Sequence, residues 1–435
     1  MGTCSSEYKR KLTTAEKAAG LIKSGDTIIT GMAYAEPPAL MAAIADRARQ
    51  GSLKDLKVYL YGAQKTAQST LLSPDLCDYI QPYTWFVAAT ERSQVKVGLD
   101  YYVPNYFHQL PSLIRDFMDV DMTITTVSPM DDSGYFSFGL ANDYTTTAAR
   151  CCKKLIVEVN KNMPRVFGDS LLHISEVDAI VENDVPIVET TMPKATPVDE
   201  KIGSIIAGMV PDGATLQIGT GGTPNVVTQY LGNHKDLGVH SEVLGIGIVD
   251  LIRKGVVTGR KKTLHPRKNV FTLASGNREM FDFINDNPSM ESYPVSYTND
   301  PDVIARNDNM ISVNAILEVD LLGQCNAEFL AGKQFSGTGG QLDFVRGAFK
   351  SRGGKSILAF HSTADKGKVS RVVARLEKGT AITTPRMDTH YLVTEHGAVN
   401  LKGKSTRDRA LAIISIADPR FRDELLWAAE DLYLL

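Results

Sequence analysis

Cysteine is scarce in this chain. Five of 435 residues are cysteine (Cys4, Cys77, Cys151, Cys152 and Cys325), an odd number with no Cys-x-x-Cys spacing. A reducing, cytoplasmic setting with free thiols is the simplest reading of that number and spacing. The adjacent Cys151 and Cys152 read as packing residues, since free cysteine is commonly buried. An excess of one charge is also lacking. With 47 Lys and Arg against 50 Asp and Glu, the net charge is -3. No electrostatic footprint for nucleic acid follows from that balance. No apolar run reaches the length of a membrane span, and the N-terminus lacks the charged-then-apolar layout of a secretory signal. The eight histidines show no HExxH or close-ligand spacing, so no metal is expected. Met1-Gly2-Thr3-Cys4-Ser5-Ser6 fits a myristoylation pattern, but the pattern is short and nothing else points to a membrane.

What is present suits ordinary globular cores: 43% hydrophobic and 22% charged residues over a length that suggests two or three domains. A long internal repeat sharpens that reading. The segment AEKAAGLIKSGDTIITGMAYAEPPALMAAIA from Ala15 matches DEKIGSIIAGMVPDGATLQIGTGGTPNVVTQYL from Asp199. Gly25 aligns with Gly213 and Gly31 with Gly219 at one constant offset, and Pro37 aligns with Pro224 after a one-residue slip. Each copy reads as an amphipathic helix, a Gly turn, a β-branched strand, a Gly loop, and a Pro that opens the next helix. The period is too long for a solenoid. It predicts two domains of similar topology, 1–192 and 199–435, joined by the Thr- and Pro-rich segment 190–198. Strands are expected at 27–30, 58–61 and 155–159 in the first half, and at 215–218, 270–273 and 356–360 in the second. Strands alternating with helices predict α/β domains with largely parallel sheets, whose ligands bind at the carboxyl ends of the strands.

Three segments carry candidate chemistry. The loop Gly219-Thr220-Gly221-Gly222-Thr223-Pro224 runs from a strand into a helix, and its glycines let backbone N–H groups approach a ligand. A dinucleotide fingerprint needs Gly where Pro224 stands, and a P-loop needs a following Lys-Ser/Thr pair, so both are excluded. A tight strand-to-helix turn is the plain alternative. Glu242, in Gly238-Val239-His240-Ser241-Glu242-Val243, can face the same crevice, although most glutamates are simply solvated. Residues 336–344, SGTGGQLDF, followed by Gly347, Gly353 and Gly354, leave many backbone donors and little bulk. Such a segment suits an oxyanion or a pantetheine chain, if it is more than a surface loop. The basic residues Arg253, Lys254, Arg260, Lys261, Lys262, Arg267 and Lys268 suggest a solvated face, with phosphate binding as the other option.

Together these motifs resemble the acetyl-CoA hydrolase/transferase family, in particular its bacterial 4-hydroxybutyrate CoA-transferase branch. The resemblance spans nearly the whole chain. It includes residues 31–37, Val127-Ser128-Pro129-Met130, residues 156–165, 219–224, Glu242, 314–326, 336–344 and Thr394-Glu395-His396-Gly397. It implies two topologically similar open α/β domains with the active site at their interface. It also implies that Glu242 becomes a glutamyl-CoA thioester, that Gly219, Thr220, Gly221, Gly222 and Thr223 form a CoA-binding loop, and that Leu317 and Gly340 contact CoA. The chain departs from the family where Ser241 and Val243 flank the glutamate, and around Gly245-Ile246-Gly247.

The implied activity moves CoA between an acyl-CoA and a small carboxylate of the 4-hydroxybutyrate, butyrate or acetate class, by ping-pong chemistry. CoA is then a substrate, with no permanently bound cofactor. Acyl-CoA and small carboxylic acids are the expected partners, without nucleic acid or membrane, for a cytoplasmic homo-oligomer (dimer or tetramer). Two other readings stay open on the sequence: hydrolysis of acyl-CoA through the same intermediate, and a ligand-sensing module on a related scaffold.

Overall fold

The computed structural model describes residues 3–192, 194–219 and 221–435. The myristoylation pattern at Met1 and Gly2 therefore lies outside the described residues. The chain forms two compact units. The first comprises Met1–Thr190, Val270–Thr298 and Gln334–Gly337; the second comprises Thr191–Asn269, Asn299–Lys333 and Thr338–Leu435. The first division falls inside the segment 190–198. Val270–Thr298, late in the chain, folds with the first unit, where the Asn142 N–H donates to the Thr272 carbonyl at 3.1 Å and the Tyr34 and Ser275 hydroxyls meet at 2.6 Å.

In the first unit seven strands form one parallel sheet. They are β1 (Thr27–Thr30), β2 (Leu56–Leu60), β3 (Ile80–Thr84), β4 (Tyr101–Tyr102), β5 (Met122–Val127), β6 (Lys154–Val159) and β7 (Ala179–Glu182). Their order is β7-β6-β5-β1-β2-β3-β4. Every residue of β5, MTITTV, is buried, as expected of a central strand covered on both faces. Helix α1 (Pro38–Arg49) starts with proline in its first turn, where no backbone donor is lost. Its Leu40, Met41 and Ile44 pack with Ile28, Leu56, Val58, Ile124 and Ile156 in one core.

The second unit contains α2 (Pro197–Ala207), β8 (Thr215–Ile218), α3 (Gly222–Val227), β9 (Gly238–His240), β10 (Met310–Ala315), α4 (Gln341–Lys350), β11 (Lys355–Ala359), β12 (Tyr391–Thr394) and β13 (Gly397–Asn400). Helix α2 begins on a capping box: the Thr196 side chain accepts from the Asp199 N–H, and the Asp199 side chain accepts from the Thr196 N–H. Within this unit the strand order is β13-β12-β11-β10-β8-β9, parallel except for β13. The five strands β12-β11-β10-β8-β9 thus repeat the order β7-β6-β5-β1-β2 of the first unit. The chain is α/β, with two topologically similar open sheets. In the first unit β1 lies between β2 and β5, and in the second β8 lies between β9 and β10, so the direction of winding reverses beside β1 and β8. The carboxyl edge at that reversal is where open α/β sheets hold ligands.

Two details differ from the sequence reading. The strand expected at 270–273 is two short strands, Asn269–Phe271 and Leu273–Ser275, and Leu273 bridges to Ala141. Helix α3 starts at Gly222, so Pro224 lies inside its first turn rather than opening it.

Candidate active site

The loop after β8 leaves the sheet at its reversal point. The Gly219 N–H donates to the Val313 carbonyl of β10 at 2.8 Å. A Cβ on Gly219 would lie 3.0 Å from Asn314 Oδ1 and 3.1 Å from the Val313 oxygen, so this glycine is set by packing. Gly221 is set by its backbone, with φ 119° and ψ 170°, a region open essentially only to glycine. Gly222 is exposed and has nothing near its missing side chain. Thr223 is tied inward: its hydroxyl donates to Asp199 Oδ1 at 2.7 Å. Thr220 lies outside the described residues. Leu317 follows β10 at the same edge of the same sheet, half-buried, with its N–H donating to the Asn326 carbonyl at 2.8 Å.

Glu242 sits two residues beyond β9 and is half-buried. Its Oε2 accepts a hydrogen bond from Asn299 Nδ2 at 2.6 Å. Asn299 is fully buried, and the same amide nitrogen lies 3.5 Å from Asp343 Oδ2 in the first turn of α4. Gly340 immediately precedes that helix. A Cβ placed on it would fall 1.8 Å from Glu242 Oε2 and 2.1 Å from Asn299 Nδ2. The glutamate carboxylate therefore lies directly against the Gly340 backbone, in space that any side chain at 340 would occupy. This contact joins two of the sequence-derived candidates, Glu242 and Gly340. Asn299 and Asp343 complete the cluster and were not among those candidates. The sequence around Asn299 carries only a turn signal, because Asp300 caps the short helix Pro301–Ala305.

The second glycine segment is anchored. The Thr338 hydroxyl donates to Glu328 Oε2 at 2.9 Å, which also accepts from Thr383 at 3.1 Å, and Gln341 Nε2 donates to Thr384 at 3.0 Å. The motif Thr394-Glu395-His396-Gly397 is likewise structural. Glu395 accepts both the N–H and the hydroxyl of Ser362, at 2.9 and 2.7 Å, and the Thr394 hydroxyl donates to the Ile416 carbonyl at 2.6 Å.

The basic stretch 253–268 is not uniformly solvated. Lys262 is buried, and its Nζ donates to the carbonyls of Val239 and Lys268 at 2.7 and 2.8 Å. Its stem covers Gly238, where a Cβ would lie 2.4 Å from Lys262 Cγ. Arg260 pairs with Asp236 at 2.8 Å. All five cysteines are free thiols. Cys325 is fully buried, and burial pushes its thiol up to about 12, which removes it as a nucleophile near neutral pH. Among the described residues no group of three or more His, Cys, Asp or Glu is placed to hold a metal ion, and no helix is long and apolar enough to cross a membrane.

Comparison with known proteins matches this architecture. The acetyl-CoA hydrolase/transferase N-terminal domain matches residues 3–190, and the C-terminal domain of the same family matches 276–429. Leu317 and Gly340 fall within the second match, whereas Glu242 and the loop 219–223 fall between the two. The 4-hydroxybutyrate coenzyme A transferase of Clostridium kluyveri is 43% identical over 96% of this chain and 97% of its own length. The succinyl-CoA:cyclohexane-1-carboxylate CoA transferase of Geobacter metallireducens is 43% identical over 97% of this chain and 96% of its own. The crystal structure of RipA from Yersinia pestis covers 100% of both chains at 50% identity, with a TM-score of 0.96. The chain belongs to the acetyl-CoA hydrolase/transferase family. Within it, the chain aligns nearly end to end with enzymes named as CoA-transferases.

Proposed function

We propose that this chain moves CoA between an acyl-CoA and a small carboxylate, with Glu242 as the nucleophile. The observation that carries the proposal is the seat of Glu242. Its carboxylate accepts from the Asn299 amide and lies against a glycine backbone, at the carboxyl side of a sheet whose neighbouring loop is rich in glycine. A carboxylate needs no base to become a nucleophile near neutral pH.

The chemistry follows in balanced steps. Glu242 attacks the thioester carbonyl, and the C–S bond breaks to release CoA thiolate, leaving a mixed anhydride. The thiolate then attacks the Glu242 carbonyl, and the original acid leaves as its carboxylate. The product is a glutamyl-CoA thioester, and the incoming carboxylate reverses both steps. The bond energy of the thioester is retained throughout. Each attack places negative charge on a carbonyl oxygen, and a fixed amide donor is worth most there. Asn299 Nδ2, already on Glu242 Oε2, supplies such a donor to the Glu242 carbonyl. Backbone N–H groups near Gly340 supply further donors.

The names of the relatives support acids of the 4-hydroxybutyrate class, extending to butyrate and acetate, as acceptors. The free thiols support action in the reducing cytoplasm, and we take the working form to be a homo-oligomer (dimer or tetramer). The test is to follow butyryl-CoA with and without acetate. The proposal expects acetyl-CoA to appear only with acetate, and Glu242→Ala to abolish transfer in a protein that still melts cooperatively. Release of free CoA at a rate indifferent to acetate would instead mean a hydrolase.

A further inference from the structure

Asp199 gathers four hydrogen bonds at the edge of the glycine loop. Its Oδ2 accepts from the N–H and the hydroxyl of Thr196, at 3.0 and 2.6 Å. Its Oδ1 accepts from the Thr223 hydroxyl and from His361 Nε2, both at 2.7 Å. The Asp199 side chain is only 8% exposed and that of His361 is 30% exposed. Burial alone would raise the Asp199 carboxyl. The bonds from Thr196, His361 and Thr223 outweigh burial and hold it well below the usual carboxylate range.

An ionised carboxylate only accepts, so His361 Nε2 carries a hydrogen. That fixes the ring and leaves the other nitrogen, Nδ1, without a hydrogen-bond partner among the described residues. His361 lies two residues beyond β11, at the carboxyl edge of the sheet, and shares Asp199 with Thr223 of the glycine loop. Arg371 is linked to the same turn, since its N–H donates to the Ser362 carbonyl at 2.9 Å. Its guanidinium, however, is partly buried in the field of Glu395 and Glu318, which offset its charge. His361 thus brings a ring nitrogen with no hydrogen-bond partner among the described residues to this edge.

We propose that His361, oriented by Asp199, is an anion-binding residue that holds a phosphate of the CoA thioester beside the loop 219–223. In that complex His361 donates Nε2–H to Asp199 and Nδ1–H to a phosphate oxygen. Asp199 is then a positioning residue that couples the loop, through Thr223, to the ligand. The inference rests on the CoA-transferase reading and adds the residue that recognises the nucleotide end of the substrate.

Butyryl-CoA and butyrylpantetheine share the reacting thioester and differ in the nucleotide with its phosphates. With acetate as acceptor, His361→Gln is expected to raise the KM for butyryl-CoA about tenfold, the worth of one charge-assisted hydrogen bond. The change should be carried by KM rather than kcat, and the KM for butyrylpantetheine should not move. Asp199→Asn should act in the same direction, and the double variant should add little to the larger single effect. Equal rises for both thioesters would reduce His361 to a structural group, and no rise for butyryl-CoA would remove it from the site; either overturns the proposal. If the unaltered protein transfers no CoA, calorimetry with free CoA and pantetheine separates the two ideas. Weaker CoA binding in His361→Gln alone upholds the phosphate contact, whereas equal binding by both proteins overturns it.

Discussion

Glu242 is singled out in the sequence through the family resemblance, which implies its role; alone it is one glutamate among many. Its partner Asn299 was not legible, because the contact joins residues 57 positions apart and neither neighbourhood announces the other. Gly340 gives the sharpest test of the cluster. Gly340→Ala places a methyl where Glu242 Oε2 lies, 1.8 Å away. Transfer should fall by at least about a hundredfold, the scale set by losing one fixed oxyanion donor together with the nucleophile's position. Unchanged kcat in a folded Gly340→Ala protein would mean that Glu242 is not seated there. A second residue-scale consequence concerns pH. Burial raises the carboxyls of Glu36 and Asp100 to about 8, with the charge of Glu91 adding in both cases, and burial raises Glu91 and Asp143 to about 7. Unfolded carboxyls release their protons near pH 4, so between about 4 and 8 the native state binds more protons and stability falls as pH rises. His390, lowered to about 4 mainly by burial, acts oppositely, but only up to about 6.5. The melting temperature should therefore fall from pH 6.5 to 8. Asp100→Asn should flatten that fall, because it removes one of the carboxyls that burial raises to about 8. A profile of unchanged slope in Asp100→Asn would contradict the assignment.

At the scale of elements, periodicity was informative where residues face one way and uninformative where they do not. Strands β1 and β8 were readable from β-branched runs between glycine turns. The strands at 122–127 and 310–315 were not singled out, because their mixture of Thr, Ser, Asn and Met is apolar only in part, although nearly every position is buried. The loop between β8 and α3 shows glycines with separate reasons. Gly221→Ala should destabilise by about 1–3 kcal/mol, the cost of a non-glycine residue in that backbone region. Gly222→Ala should leave the melting temperature almost unchanged, since open space surrounds it, yet raise the KM for an acyl-CoA. Thermal melts beside steady-state kinetics check both. A Gly222→Ala protein with unaltered KM would place CoA elsewhere.

For the whole molecule, the internal repeat was the most informative signal, since the mutual alignment pointed to two units of similar topology. It did not reveal that Val270–Thr298 folds with the first unit, because that grouping rests on contacts with residues such as Ala141 and Asn142 far away in sequence. Nor did it single out Asp199. The central claim is that this chain carries CoA covalently on Glu242 between half-reactions. Incubation with butyryl-CoA and no acceptor acid, followed by intact-protein mass spectrometry and peptide mapping, measures it most directly. The account predicts a CoA-sized adduct on Glu242 that hydroxylamine removes and acetate discharges. An adduct on an exposed thiol such as Cys77 or Cys151, or no adduct together with sequential kinetics, would contradict it.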